Sequence, residues 1–163
     1  MPIPHRERGR TAGGGSAAFL VVRTNGSEFH GALFVVNERA EPLDFCFNRV
    51  DVPSSFLWRA GEARRHALRL LAASLFTACP GIPDLLLVHR EQVAPTLFTD
   101  DLEVDIAVGL VAEADGRAEV SWVGRPPGEG STARVLLDSL VKHGMTLEPF
   151  ERAAAGLDEA LPS

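Results

Sequence analysis

The chain has 163 residues and a mass of 17.5 kDa, with 45% apolar and 23% charged side chains and a formal net charge of −6. At this length about 70% of the unfolded chain's surface can be buried, so one core is expected without disulfides or metal clips. A bilayer span is excluded, because the longest apolar runs, Ala17 to Val22 and Leu85 to Val88, fall far short of roughly 20 residues. The charge is unevenly spread: residues 1–92 carry 11 basic and 9 acidic side chains, and residues 93–163 carry 5 and 13. The acidic part repels phosphodiesters, which confines any nucleic-acid role to a local basic surface.

Residues 1–16, with two prolines, four charged groups and Gly13-Gly14-Gly15-Ser16, read as a disordered leader before a single globular domain over 17–163. Ala17 to Thr24 and Gly31 to Val36 are two strands joined through Asn25-Gly26, a strong two-residue hairpin signal. Leu43, Phe45 and Phe47 alternate with Asp44, Cys46 and Asn48, the period-2 signature of a third, half-covered strand. An apolar pattern of helical period follows from Phe56 to about Ala78, with Leu57, Ala60, Leu68, Leu71, Leu75 and Ala78 on one face. Gly61 weakens its first turns and makes Glu62 an alternative start. Cys79-Pro80-Gly81-Ile82-Pro83 ends this helix, and the unbroken run Leu85-Leu86-Leu87-Val88 predicts a strand buried on both faces.

Val93 to Asp101 reads as irregular connection. Val104 to Ala112 and Ala118 to Val123 form a second hairpin about Asp115-Gly116. Ser131 or Thr132 caps a helix through Leu136, Leu137, Leu140 and Val141 that Gly144 ends. Pro149 suits the first turn of a last helix carrying Phe150, Ala154, Leu157 and Leu161. The class is therefore α/β or α+β: an antiparallel three-stranded meander, a helix and a buried strand, then a hairpin and two C-terminal helices. That order, from about residue 17 to 143, resembles a degenerate ribonuclease H-like layer.

The resemblance implies divalent ions held by carboxylates from the first strand, first helix, fourth strand and a late helix. At roughly matching places stand Asn25 or no residue, Glu62, His89 or Glu91, and Asp138, so the first-strand acid is missing. A restriction-type nuclease core fares no better: Pro83-Asp84 is present, but Glu91-Gln92-Val93 lacks the required lysine. Asp100, Asp101, Glu103 and Asp105 could collect a hard cation with His89 or Glu91, Glu103 and Asp105 sharing one strand face; their spacing is not a calcium loop, and a solvated charged edge explains them as well.

Arg125, Gly128, Gly130 and Ser131 have the strand-loop-helix grammar of an anion site, although Glu129 would stand among the phosphates and a capped turn accounts for the same residues. Along the long helix, Arg59, Arg65, His66 and Arg69 recur opposite the leucine face, and with Arg64 the segment 59–69 holds four arginines against Glu62. This stripe suits a carboxylate-rich protein surface or a nucleic-acid backbone as partner, or else a solvated face paired with the chain's own acidic half. Cys46 and Cys79 have neither Cys-x-x-Cys spacing nor a neighbouring histidine at ligand distance in sequence, and read as small buried groups.

No cofactor is called for by these motifs. The leading expectation is a cytoplasmic, non-catalytic accessory module that binds a larger protein through Arg59, Arg65, His66 and Arg69, meeting nucleic acid only indirectly or through that basic face, with no membrane contact and homo-oligomerisation left open. The alternatives are a divergent metal-dependent nuclease-like enzyme using Glu62, His89, Glu91, Asp105 and Asp138, and a small phosphate-ligand-binding domain using Arg125 and the glycine loop.

Overall fold

The computed structural model describes residues 15–79 and 81–162. Most of the expected leader, residues 1–14, lies outside them; Gly15 and Ser16 lie within, and Ser16 is buried with its amide donating to the Asp84 carboxylate at 2.9 Å.

β1 (Ala17–Asn25) and β2 (Glu28–Val36) form the first hairpin, and β2 pairs antiparallel with β3 (Pro42–Asp51). The turn differs by one residue from expectation. Asn25 closes the ladder opposite Glu28, so Gly26 and Ser27 form the loop, with Gly26 supplying the positive φ of 61°. In β3 the expected alternation breaks at a bulge opposite Val35 and Val36, which sends Leu43 to the face opposite Phe45.

The long helix, α1 (Glu62–Ala78), begins after Gly61, whose φ of 82° puts the left-handed conformation where a helix cannot continue. Phe56 and Leu57 therefore sit in a separate 3-10 turn, Ser55–Leu57, and are 81% and 77% exposed, so neither belongs to the buried stripe. That stripe is Ala63, Ala67, Leu71, Ala72 and Leu75. It lies close on β2: a Cβ at Gly31 would come within 2.8 Å of Leu71.

β4 (Leu85–His89) runs parallel between β1 and β5 (Ala107–Ala114), which is why Leu85 to Val88 show no alternation: all four are fully buried. The connection from β4 to β5 holds a single π-helical turn, Leu97–Asp101, whose Leu97 and Phe98 pack beneath α1 with Val93. Glu103 and Asp105 precede β5 instead of sharing a strand face. β6 (Arg117–Trp122) returns antiparallel through Asp115 and Gly116, both with positive φ as a type I′ turn requires, and extends the same sheet.

The six strands thus run β3-β2-β1-β4-β5-β6 in one mixed sheet. Alternate residues of the central strands feed opposite cores. Ala18, Leu20, Val22, Leu86 and Val88 meet α1, whereas Phe19, Val21, Leu85 and Leu87 meet α2 (Thr132–Lys142) and α3 (Glu148–Ala160). Each fully buried leucine or phenylalanine contributes about 1.5–3 kcal/mol. Among the described residues no helix is long and apolar enough to cross a membrane.

Candidate active site

From β1 the chain proceeds to β2 on one side, while β4 joins β1 on the other. The strand order therefore reverses between β1 and β4, and in α/β sheets the crevice beyond the carboxyl ends of the strands at such a point is where ligands bind. A cleft of about 430 Å³ occupies that place, with Val21 of β1, His89 of β4, Glu91, Glu113 of β5, and Phe150 and Glu151 of α3 in its walls.

Local structure explains how these side chains are held. The β1–β4 ladder ends at Leu20 and Val88, so the amide of Val22 has no strand partner; Gln92 Oε1 accepts its proton at 3.0 Å and pins the turn after β4 to β1. The Gln92 amide donates to the His89 carbonyl at 3.0 Å, and the Arg90 amide donates to Val111 at 2.9 Å. The Arg90 side chain leaves the cleft to donate to Ser121 Oγ at 3.1 Å. His89 lies against Phe150 with ring centroids 4.8 Å apart, and Phe150 meets Phe19 edge-on at 5.0 Å and 84°. The histidine ring thus rests on the core. Glu91, Glu113 and Glu151 are exposed, and among the described residues neither arginine nor lysine lines the cleft.

Of the residues singled out from sequence, His89 and Glu91 meet here and the others do not. Glu62 is exposed at the first position of α1. Asp105 precedes β5 at the amino ends of the parallel strands, beside Asp84 in a different cavity. Asp138 faces outward on α2, 3.5 Å from Arg134. Glu113 and Glu151 were not anticipated, because separations of 22 and 38 residues along the chain leave no local pattern joining them to each other or to Glu91.

The carboxylate set implied by a ribonuclease H-like layer does not fit this chain. At the cleft β1 presents buried Val21 where an acid is needed, and among the described residues no three His, Cys, Asp or Glu side chains are placed to hold a metal ion.

The arginine stripe is largely engaged within the chain. Arg65 grips Asp101, Nε donating to the two carboxylate oxygens at 3.0 and 2.9 Å and Nη2 to Oδ1 at 2.6 Å. The hydrogen bonds from Arg65 hold the Asp101 carboxyl below its ordinary range, against the opposing effect of desolvation. Arg69 Nη2 lies 3.1 Å from His66 Nδ1, and His66 stacks on Trp58 at 4.7 Å; Arg59 is exposed. In the glycine loop, Ser131 Oγ accepts from the Arg134 amide at 3.3 Å and donates to the Gly128 carbonyl at 2.6 Å, so its hydroxyl is spent on capping α2, while Arg125 is exposed and Gly130 takes a φ of 82°. Asp84, the acid of the restriction-type motif, receives the Ser16 amide.

A meander whose first strand is flanked by a parallel fourth strand, with helices on both faces, has the ribonuclease H-like arrangement. Among solved structures, the catalytic domain of human Endonuclease V is similar to this chain with a TM-score of 0.53 and 15% identity, covering 96% of this chain and 86% of that one. Endonuclease V of Bacillus subtilis matches with a TM-score of 0.41 and 12% identity, over 89% and 79% of the two chains. No protein-family model matches the sequence, and no curated protein matches it. The expectation of a non-catalytic accessory module is corrected by the first of these structures, whose fold this chain shares and which points to a nuclease-like enzyme instead.

Proposed function

We propose that this chain is a divergent nuclease-like enzyme acting on nucleic acid at the cleft beyond the carboxyl ends of β1 and β4. The observation that carries the reading is the position of His89: it ends β4 at the strand-order reversal, rests on Phe150, and opens into a cleft bearing Glu91, Glu113 and Glu151. Phosphodiester cleavage needs a group that takes a proton from the attacking oxygen and one that gives a proton to the leaving oxygen. Imidazole exchanges protons near neutral pH, and the glutamates beside it supply the second group. The fold shared with the catalytic domain of human Endonuclease V supports this assignment over the phosphate-ligand alternative, whose Ser131 is a helix cap. A cytoplasmic location belongs to the same proposal.

The test is cleavage of end-labelled single- and double-stranded DNA and RNA in buffers with Mg²⁺, with Mn²⁺ and with EDTA. Cleavage in at least one condition is expected, falling about 100-fold or more in His89→Ala while the variant's melting curve stays cooperative. Intact substrate under every condition refutes the proposal.

A further inference from the structure

The cleft does not end at Glu91. That residue and Gln92 also line a second cavity, of about 720 Å³, on the α1 side of the sheet. The two cavities lie on opposite faces at the same end of the central strands, and Gln92, fastened to the Val22 amide at 3.0 Å, borders both. The sign of charge changes across this saddle. The cleft side carries Glu113 and Glu151, the α1 side carries Arg23, Arg64 and Arg65 with Asp101 among them, and Glu91 borders both.

A polyanion reaching an acidic cleft must be held by cations outside it, because each phosphate left near uncompensated carboxylates is repelled. Here those cations lie at the far end of the same path. Arg64 is exposed, and a cation–π contact of its guanidinium with the Phe29 ring, at 4.8 Å, holds the side chain against the sheet. Arg65 is already set in the fork geometry that guanidinium uses toward either a carboxylate or a phosphate, and its present anion is Asp101 on the π-helical turn. Exchange of one fork-bound anion for another keeps the exposed Arg65 side chain ordered in the same geometry, so the competing carboxylate sets the affinity more than the ordering of the side chain does.

We infer that the groove beside α1 is the track for the phosphodiester backbone of the strand whose scissile bond enters the cleft, and that Asp101 occupies Arg65 until a substrate phosphate displaces it. This rests on the proposed function for the identity of the strand. It adds the direction of approach, across Gln92 from the arginine side to the His89 side, and a built-in competitor.

The experiment measures fluorescence anisotropy of labelled 20-mer single-stranded DNA and RNA with the full chain in EDTA, over a salt series. Asp101→Asn should bind about three- to tenfold more tightly than the parent, a direction that damage to the fold would not produce. Arg64→Glu with Arg65→Glu should weaken binding by more than about tenfold and reduce the slope of log affinity against log salt by about 1.4, at about 0.7 per lost phosphate contact. The exchanged pair Arg65→Asp with Asp101→Arg restores the ion pair, and its melting temperature checks the fold. Binding and salt slope unchanged in the double-glutamate variant, or no tightening in Asp101→Asn, overturns the inference. Binding that depends on the arginines in a protein that cleaves nothing keeps the track and overturns the proposed enzyme; cleavage and binding indifferent to them do the reverse. A parent protein that binds neither probe overturns both.

Discussion

Truncation of Phe150 tests the packing on which the candidate site stands. The side chain is 5% exposed, meets Phe19 edge-on at 5.0 Å and supports His89 at 4.8 Å, so its ring belongs at once to the core and to the cleft wall. In Phe150→Ala roughly 150 Å² of buried apolar surface is lost, which at about 25 cal/mol per Å² amounts to about 3–4 kcal/mol. A sealed cavity would add to this. Because Phe150 also lines the cleft, however, water can enter the space left behind, and the loss should stay near the lower end of the roughly 3–5 kcal/mol range for such truncations. For a domain of this size about 3 kcal/mol corresponds to a fall of roughly 6–12 °C in Tm. Urea unfolding followed by circular dichroism should show a lower midpoint with the slope m unchanged, and a cycle with His89→Ala should give a coupling of about 0.5–1.5 kcal/mol for the ring pair. A loss under about 1 kcal/mol, or no coupling, would refute the placement of Phe150 between core and cleft.

Three other perturbations probe the scaffold. Gly31→Ala places a methyl group 2.8 Å from Leu71, itself fully buried, and should lower stability by about 1–2 kcal/mol in urea titration, although alanine restricts the unfolded chain. Ser131→Ala removes the acceptor of the Arg134 amide and should cost about 1 kcal/mol in the same titration, with hydrogen exchange accelerated in the first turn of α2. Acidification tests the Arg65 and Asp101 pair. Its carboxyl titrates below the ordinary value near 3.8, so the stabilisation is complete above that value and disappears as pH falls through the lower, folded-state value. Asp101→Asn should therefore flatten the acid limb of the Tm-against-pH profile below about pH 4 and leave its shape above pH 5 unchanged.

Much of the architecture is local physics and was legible in the chain. Unbroken Leu85-Leu86-Leu87-Val88 meant burial on two faces, and Asp115-Gly116 meant a tight hairpin, because each depends on neighbours within a few residues. The resemblance to a ribonuclease H-like layer followed from element order alone. Boundaries were less secure where one residue's backbone overrode a side-chain pattern: Gly61 cut Leu57 and Ala60 from the helix, and the bulge in β3 moved Leu43 across the sheet.

The site was only half legible. His89 and Glu91 are two residues apart and follow a recognisable strand, so sequence could place them together. Glu113 and Glu151 enter the cleft only because β5 lies beside β4 and α3 lies across Phe19, contacts between distant segments that no spacing encodes. The same holds for the charge asymmetry visible at the outset. Composition showed a basic first part and an acidic second part, but only folding set Asp101 on Arg65 and brought Glu91 between the arginine groove and the glutamate cleft. Side-chain periodicity acts over one turn or one pleat; the meeting of charges is decided by how the sheet orders its strands.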